Sequence, residues 1–365
     1  MKILSILKEN YLFILILLVA AFLRFYHLDF QSPWLDEALT LKETNPNMSF
    51  NDFKETILLR EGIPHFYFFI IRTLNNIFTY SSYTARFFSA SIGVLTVYSI
   101  YFLGKKIFNK NVGFISAILL GVNWFAISFS QEARPYILLM FFVIISIIKL
   151  IDFIKNPNYK NAILFGIING LIINSQMIGL ITIFSQYVLL LFVFILLSKD
   201  KKPNFFICGL LTSFTTILVA WPTYKMFLKV TEYKSGWLQL PDKNGFSNIF
   251  HQFLGDNEIL NFIFLIIIIF YCINLFNQKE IKIEIDEITT NKKVFSALIL
   301  FTCFFLPIIL PIIKTYTSEP MILNRYFIAL IPALLLLISI LNYTIINLKE
   351  YKLDNKDGIK IERII

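Results

Sequence analysis

Time after time the chain runs for about 20 residues with almost no charge, the length an α-helix needs to cross a bilayer. Such runs lie near residues 11–29, 84–104, 112–130, 135–154, 161–177, 179–197, 204–222, 259–276, 294–314 and 325–347. Inside hydrocarbon a spanning segment has to satisfy its own backbone hydrogen bonds. The expected fold is therefore all-α, an integral membrane bundle of about ten transmembrane helices. Composition points the same way: with 57% hydrophobic and 16% charged residues and a mean hydropathy of +0.69, the chain is far from the roughly 45–50% apolar, about 25% charged make-up of a soluble domain.

Charge orients the bundle. A net charge of +9 in a soluble protein would suggest nucleic acid, but here the lysines gather in the connections on one side of the spans, the pattern of cytoplasmic loops. Lys2 and Lys8, then Lys105, Lys106 and Lys110, then Lys149, Lys155 and Lys160, then Lys199, Lys201 and Lys202 all fall there, as do Lys279, Lys282, Lys292, Lys293 and the tail to Arg363. Both termini are expected in the cytoplasm of a multi-pass protein, in a prokaryotic plasma membrane. No small-residue cleavage site follows the first apolar run, so it reads as a retained helix. The ambiguous run from His65 to Tyr80 would reverse every later segment if it crossed. On a helical wheel its polar residues His65, Arg72, Asn75, Asn76 and Thr79 share one arc of about 100°, so it reads as a helix lying in the interface. A second interfacial helix is expected around Phe50, Phe53, Ile57 and Leu58, with Ser49 and Asp52 spaced to cap it.

The expected layout is a module over residues 1–222 with its first outer loop at 30–82, a second outer loop at 223–258, further spans over 259–348 and a cytoplasmic tail at 349–365. Cys208, Cys272 and Cys303 fall in apolar runs without metal-ligand spacing and read as packing residues. His27, His65 and His251 have no zinc-like spacing, and neither a phosphate-binding glycine loop nor a nucleophile elbow is present.

The span middles are nearly free of ionisable residues, unlike a transport path. Charge collects instead at the outer ends: Arg24, His27 and Asp29, the Asp36-Glu37 pair, Arg60, Glu61 and His65, Arg86, Glu132 and Arg134, and Arg325. Carboxylates and arginines meeting at one membrane surface suit a lipid-borne anion. Behind Pro33 and Trp34, the Asp36-Glu37 pair is expected on a fixed turn. There one carboxylate faces an acceptor as general base and the other orients a helix or pairs with an arginine; an exposed, helix-capping pair is the simpler alternative. Arg134, with Glu132 beside it, and Arg325, before Tyr326, are candidates for phosphate binding and equally for ends of spans whose side chains reach water.

Together these residues resemble the C-type polytopic glycosyltransferases that use polyprenyl-phosphate sugars, the protein O-mannosyltransferase and lipid A aminoarabinose transferase superfamily. The resemblance rests on Trp34-Leu35-Asp36-Glu37-Ala38, Glu61-Gly62-Ile63-Pro64-His65, Ala85-Arg86-Phe87-Phe88-Ser89-Ala90 with Gly93, Leu103-Gly104-Lys105-Lys106-Ile107-Phe108, Gln131-Glu132-Ala133-Arg134-Pro135-Tyr136 and Asn324-Arg325-Tyr326. It is dense over residues 20–155 and thin afterwards. It implies inverting sugar transfer from a polyprenyl-phosphate donor to an acceptor hydroxyl of a glycan, lipid or protein on the extracytoplasmic face. Asp36 would be the base and Glu37 its catalytic neighbour. Arg134, Arg325, His65 and Arg60 would hold the donor phosphate, with Glu132, Tyr136, Tyr326 and Arg86 in support. No metal or other cofactor is expected. The chain departs from the family in its short second outer loop and in Phe66-Tyr67, which stand where Pro-Pro is common. A lipid-linked saccharide flippase and a non-catalytic assembly subunit are the alternative readings.

Overall fold

The computed structural model describes residues 2–232, 285–318 and 320–356, with further positions at 240, 252–254, 259, 262, 266 and 269. Helices make up the ordered elements among these residues, and no strand is present. Six helices are long and apolar enough to cross a membrane: α5 (Ser82–Ile107), α8 (Tyr136–Lys155), α10 (Gly179–Leu196), the continuous Lys202–Glu232 stretch, Lys292–Thr317 and Asn324–Thr344. A bent pair, α6 (Lys110–Val122) with α7 (Trp124–Ser130), brings the number to seven if it counts as one span. The apolar part of α1 (Lys2–Phe25) is the shorter Tyr11–Phe25, and α9 (Tyr159–Ser175) has 17 residues. Most of the expected span at 259–276 and of the outer loop expected at 223–258, with His251, Cys272 and the end of the tail, lie outside the described residues. The protein is a multi-pass, all-α membrane protein.

Small residues let the helices approach closely, as helix pairs in membranes require. A Cβ on Gly104 of α5 would stand 2.8 Å from the Gly113 Cα of α6, and one on Gly166 of α9 would stand 2.6 Å from the Thr212 carbonyl of α11 (Lys202–Ala220). Ser146 of α8 ties the interior together, its Oγ within hydrogen-bond distance of the side chains of Asn169 of α9 (2.7 Å) and Gln186 of α10 (3.0 Å).

The run expected as one span at 112–130 is broken, with the two halves bent by 62°. Asn123 makes the break, because its side chain accepts from the Ala126 N–H at 2.9 Å and so caps α7, a role that competes with continuing the helix. The carbonyls left at the end of α6 are taken by Arg24, which is wholly buried in α1 and donates to Leu120 (3.0 Å) and Gly121 (2.8 Å). A cation is favoured there by the helix dipole. The break turns the chain so that Gln131, Glu132 and Arg134 follow directly. Gln131 in turn caps α1 by donating to the carbonyls of Leu23 and Tyr26, just before His27 reverses the chain at φ 56°.

The first loop holds α2 (Leu35–Glu43), α3 (Phe50–Arg60) and α4 (His65–Ile77), one helix more than expected. Ser49 accepts from the Asp52 N–H and caps α3, and α4 is a 13-residue helix that is not among the crossing ones. The unforeseen helix is α2. Its capping box, in which the Glu37 side chain reaches back to the Trp34 N–H, places Asp36 and Glu37 in a first helical turn instead of an extended one.

Candidate active site

A cavity of about 540 Å³ opens where the first loop meets the ends of α8 and the two C-terminal helices, within the roughly 300–1,000 Å³ of small-molecule sites. Its charged walls are Asp36 from α2, Arg60 and Glu61 from the end of α3, Arg134 from the turn before α8, Lys229 from α12 (Tyr224–Glu232), Lys314 and Arg325. Tyr136 and Tyr326 add aromatic wall. In α5 and α8 the lysines lie at the far ends, at Lys105, Lys106, Lys149 and Lys155. One Asp152 gathers Lys106 and Lys149 there.

The two acids of the dipeptide have different fates, because adjacent positions on a helix point about 100° apart. Glu37 turns inward and is 1% exposed. Its Oε1 accepts from Arg86 Nε and from the Ala133 N–H, both at 2.8 Å, and its Oε2 accepts from Arg86 Nη2 at 2.6 Å. Arg86 completes the knot by donating to the carbonyls of Leu28 and Gln31 at 2.8 Å. Glu37 therefore does not reach the cavity; expected as a catalytic neighbour of Asp36, it is the joint between the first loop, α5 and the turn before α8.

Asp36 faces the cavity. Its Oδ2 accepts from Arg325 Nη1 at 3.0 Å in a pair whose side chains are 21% and 24% exposed. The Arg325 guanidinium lies over two aromatic rings, its carbon 5.9 Å from the ring centres of both Trp34 and Tyr136. Arg134 is buried and grips Glu61 with both arms (3.1 and 3.2 Å) while also reaching Thr40 at 3.0 Å. Its Nε has no partner. Lys229 is fixed on the rim by the carbonyls of Leu59 (2.8 Å) and Glu61 (3.0 Å).

Glu132 stands behind this wall with a buried Oε2 that no donor reaches. Burial first, and the Glu37 charge next, push its carboxyl up to about 7. Of the expected phosphate ligands, Arg134, Arg325 and Arg60 border the cavity together. His65 does not: its Nε2–H donates to the Lys54 carbonyl (2.9 Å) and it lines a separate, mostly apolar cavity of about 470 Å³ between α3, α4 and Thr223. Lys229 and Lys314 are wall residues that sequence reasoning did not select; Glu61 was named there without a role, and Thr40 is buried behind the wall against Arg134. Among the described residues no three His, Cys, Asp or Glu side chains are grouped to hold a metal ion.

The fold is that of the polytopic C-type glycosyltransferases. The Archaeoglobus fulgidus oligosaccharyltransferase in its apo form aligns with TM-score 0.62 and 13% identity over 98% of this chain and 53% of that one. ArnT from Cupriavidus metallidurans aligns with TM-score 0.62 and 12% identity over 92% and 60% in its apo state. Bound to undecaprenyl phosphate, ArnT aligns with TM-score 0.55 and 13% identity over 91% and 60%. The chain thus spans about half to three fifths of the length of these proteins. In sequence, residues 63–224 match the family described as dolichyl-phosphate-mannose-protein mannosyltransferase, in agreement with the resemblance carried by the motifs. No curated protein matches the chain in sequence.

Proposed function

We propose that the protein is a membrane glycosyltransferase that moves a sugar from a polyprenyl phosphate to an acceptor hydroxyl on the extracytoplasmic face, with inversion. The observation that carries this reading is a cavity in which a half-buried carboxylate, Asp36, shares its wall with five cationic side chains. A cation-rich wall suits a phosphate, and a carboxylate among those cations suits the removal of a proton from a bound hydroxyl. The ArnT structure bound to undecaprenyl phosphate and the family matched by residues 63–224 support the donor class.

In this reading the acceptor oxygen attacks the anomeric carbon opposite the phosphate and Asp36 takes the hydroxyl proton. The bond between the anomeric carbon and the phosphate oxygen breaks, and its electron pair leaves with the polyprenyl phosphate. That leaving group needs charge stabilisation more than a proton, which Arg325 and Arg134 supply from the cavity wall, with Lys229, Arg60 and Lys314 on the rim. Arg325 has a second role, holding Asp36 aimed between acceptor and donor through their 3.0 Å bond. The scheme needs no metal or cofactor.

The test is transfer from a radiolabelled polyprenyl-phosphate hexose or pentose by purified protein in lipid nanodiscs. Release of polyprenyl phosphate together with a labelled product supports the enzyme. Movement of intact donor between leaflets without its consumption supports the flippase reading instead. A polar path for a flippase is hard to build here, since polar groups such as Ser146, Asn169 and Gln186 are fully buried among the helices.

A further inference from the structure

Behind the cavity wall lies a carboxyl group that the reaction scheme does not use. Glu43, the last residue of α2, is wholly buried, and no donor reaches either of its oxygens. The charged groups that face it are Glu61 and Arg60 at the end of α3 and Arg134 from the turn before α8, and Thr40, one turn earlier on α2, accepts from Arg134 at 3.0 Å. Two carboxylates cannot bond to each other without a proton between them, and a buried carboxylate lacking donors is costly. Arg134 is occupied, in turn, with both arms on Glu61. A lipid phosphate that recruits Arg134 has to draw it from Glu61 and leave that carboxylate short of donors inside the protein.

Resting on the reading of the cavity as a lipid-phosphate site, we propose that Glu43 is a positioning residue. Its carboxyl proton, donated to Glu61, frees Arg134 for the incoming phosphate. No covalent bond changes: the Glu43 O–H stays on Glu43 and replaces a guanidinium N–H on Glu61, while that N–H turns to a phosphate oxygen. Burial first, and the Glu61 charge next, push the Glu43 carboxyl up to about 8, so the protonated form is present at neutral pH. A bound anion raises it further, because the phosphate adds negative charge and takes up Arg134. By linkage, affinity for the phosphate is greatest below the value of the empty site and falls as pH rises through it, by at most about tenfold per pH unit for one proton.

The experiment measures the Kd of undecaprenyl phosphate for the full-length protein in detergent micelles between pH 7.5 and 9.5. The comparison is with Glu43→Gln, whose amide keeps a donor toward Glu61 but does not titrate. The wild type is expected to lose about tenfold in affinity across this range, and Glu43→Gln to lose far less. A second readout is the infrared difference spectrum on adding the lipid: the protonated-carboxyl band should shift in the wild type and be unmoved in the variant. If Glu43→Gln does not fold, the wild-type profile and spectrum decide. A flat wild-type profile, or an equal slope in the folded variant, overturns the role of Glu43 and leaves the site reading intact. An absence of binding at every pH overturns both.

Discussion

The Glu37–Arg86 and Asp36–Arg325 pairs begin at adjacent residues, yet their side chains are 1% and 5% exposed in the first and 21% and 24% in the second. In the first pair every oxygen is taken, by Arg86, the Ala133 N–H and the Trp34 N–H. In the second a single 3.0 Å bond holds a carboxylate on the wall of a cavity. A saturated buried pair has no capacity left for a substrate and is lost only at the expense of the fold. A half-open pair is weak as a support and keeps a lone pair for chemistry. One residue of helix thus separates a structural joint from a carboxylate open to the cavity.

The largest effect should come from breaking the joint. Glu37→Gln leaves Arg86 buried without its counter-ion, and a buried pair broken on one side costs about 3–5 kcal/mol. A large drop in the unfolding temperature of the detergent-solubilised protein is the expected result. Arg325→Lys asks the opposite question of the second pair. It keeps the charge but loses the planar fork that lies over the Trp34 and Tyr136 rings, so transfer should fall about tenfold with little change in unfolding temperature. The smallest effect concerns Glu132. Its carboxyl sits near 7 in the folded protein against an ordinary value of 4.5, so the native state binds more protons than the unfolded chain between those values. Stability from this group is accordingly greatest at low pH and declines as pH rises from about 4.5 to about 7. Glu132→Gln should flatten that part of a stability profile, while the raised Glu43 contributes a decline of the same sign that persists in the variant.

Much of this architecture was legible in the sequence. Apolar run length gave the helices, Ser49 with Asp52 gave the cap of α3, and the wheel of residues 65–80 separated α4 from the spans. What was not legible has physical causes. Asn123 is one polar residue in a long apolar run, and its capping of α7 depends on Arg24 answering the carbonyls of α6 from nearly a hundred residues away. Helix α2 has almost no apolar periodicity, being Leu-Asp-Glu-Ala-Leu-Thr-Leu-Lys-Glu, so neither its existence nor the burial of Glu43 shows in a pattern. Of the site, the dipeptide, Arg134 and Arg325 stood out because charge is rare in this chain. Lys229 and Lys314 did not, since one lysine among 33 basic residues carries no mark of the wall it will join. That the two acids part, one of them pairing with an arginine, was expected; that Glu37 is the one that pairs became visible only once the partners of each carboxylate were known.

The central claim is that Asp36 removes the acceptor proton. Its most direct test is single-turnover sugar transfer by Asp36→Asn, normalised to folded protein and to bound donor. Loss of a general base predicts a rate about 10²- to 10⁴-fold lower, with unfolding temperature and polyprenyl-phosphate affinity close to the wild type. Transfer by Asp36→Asn at the wild-type rate would contradict the account.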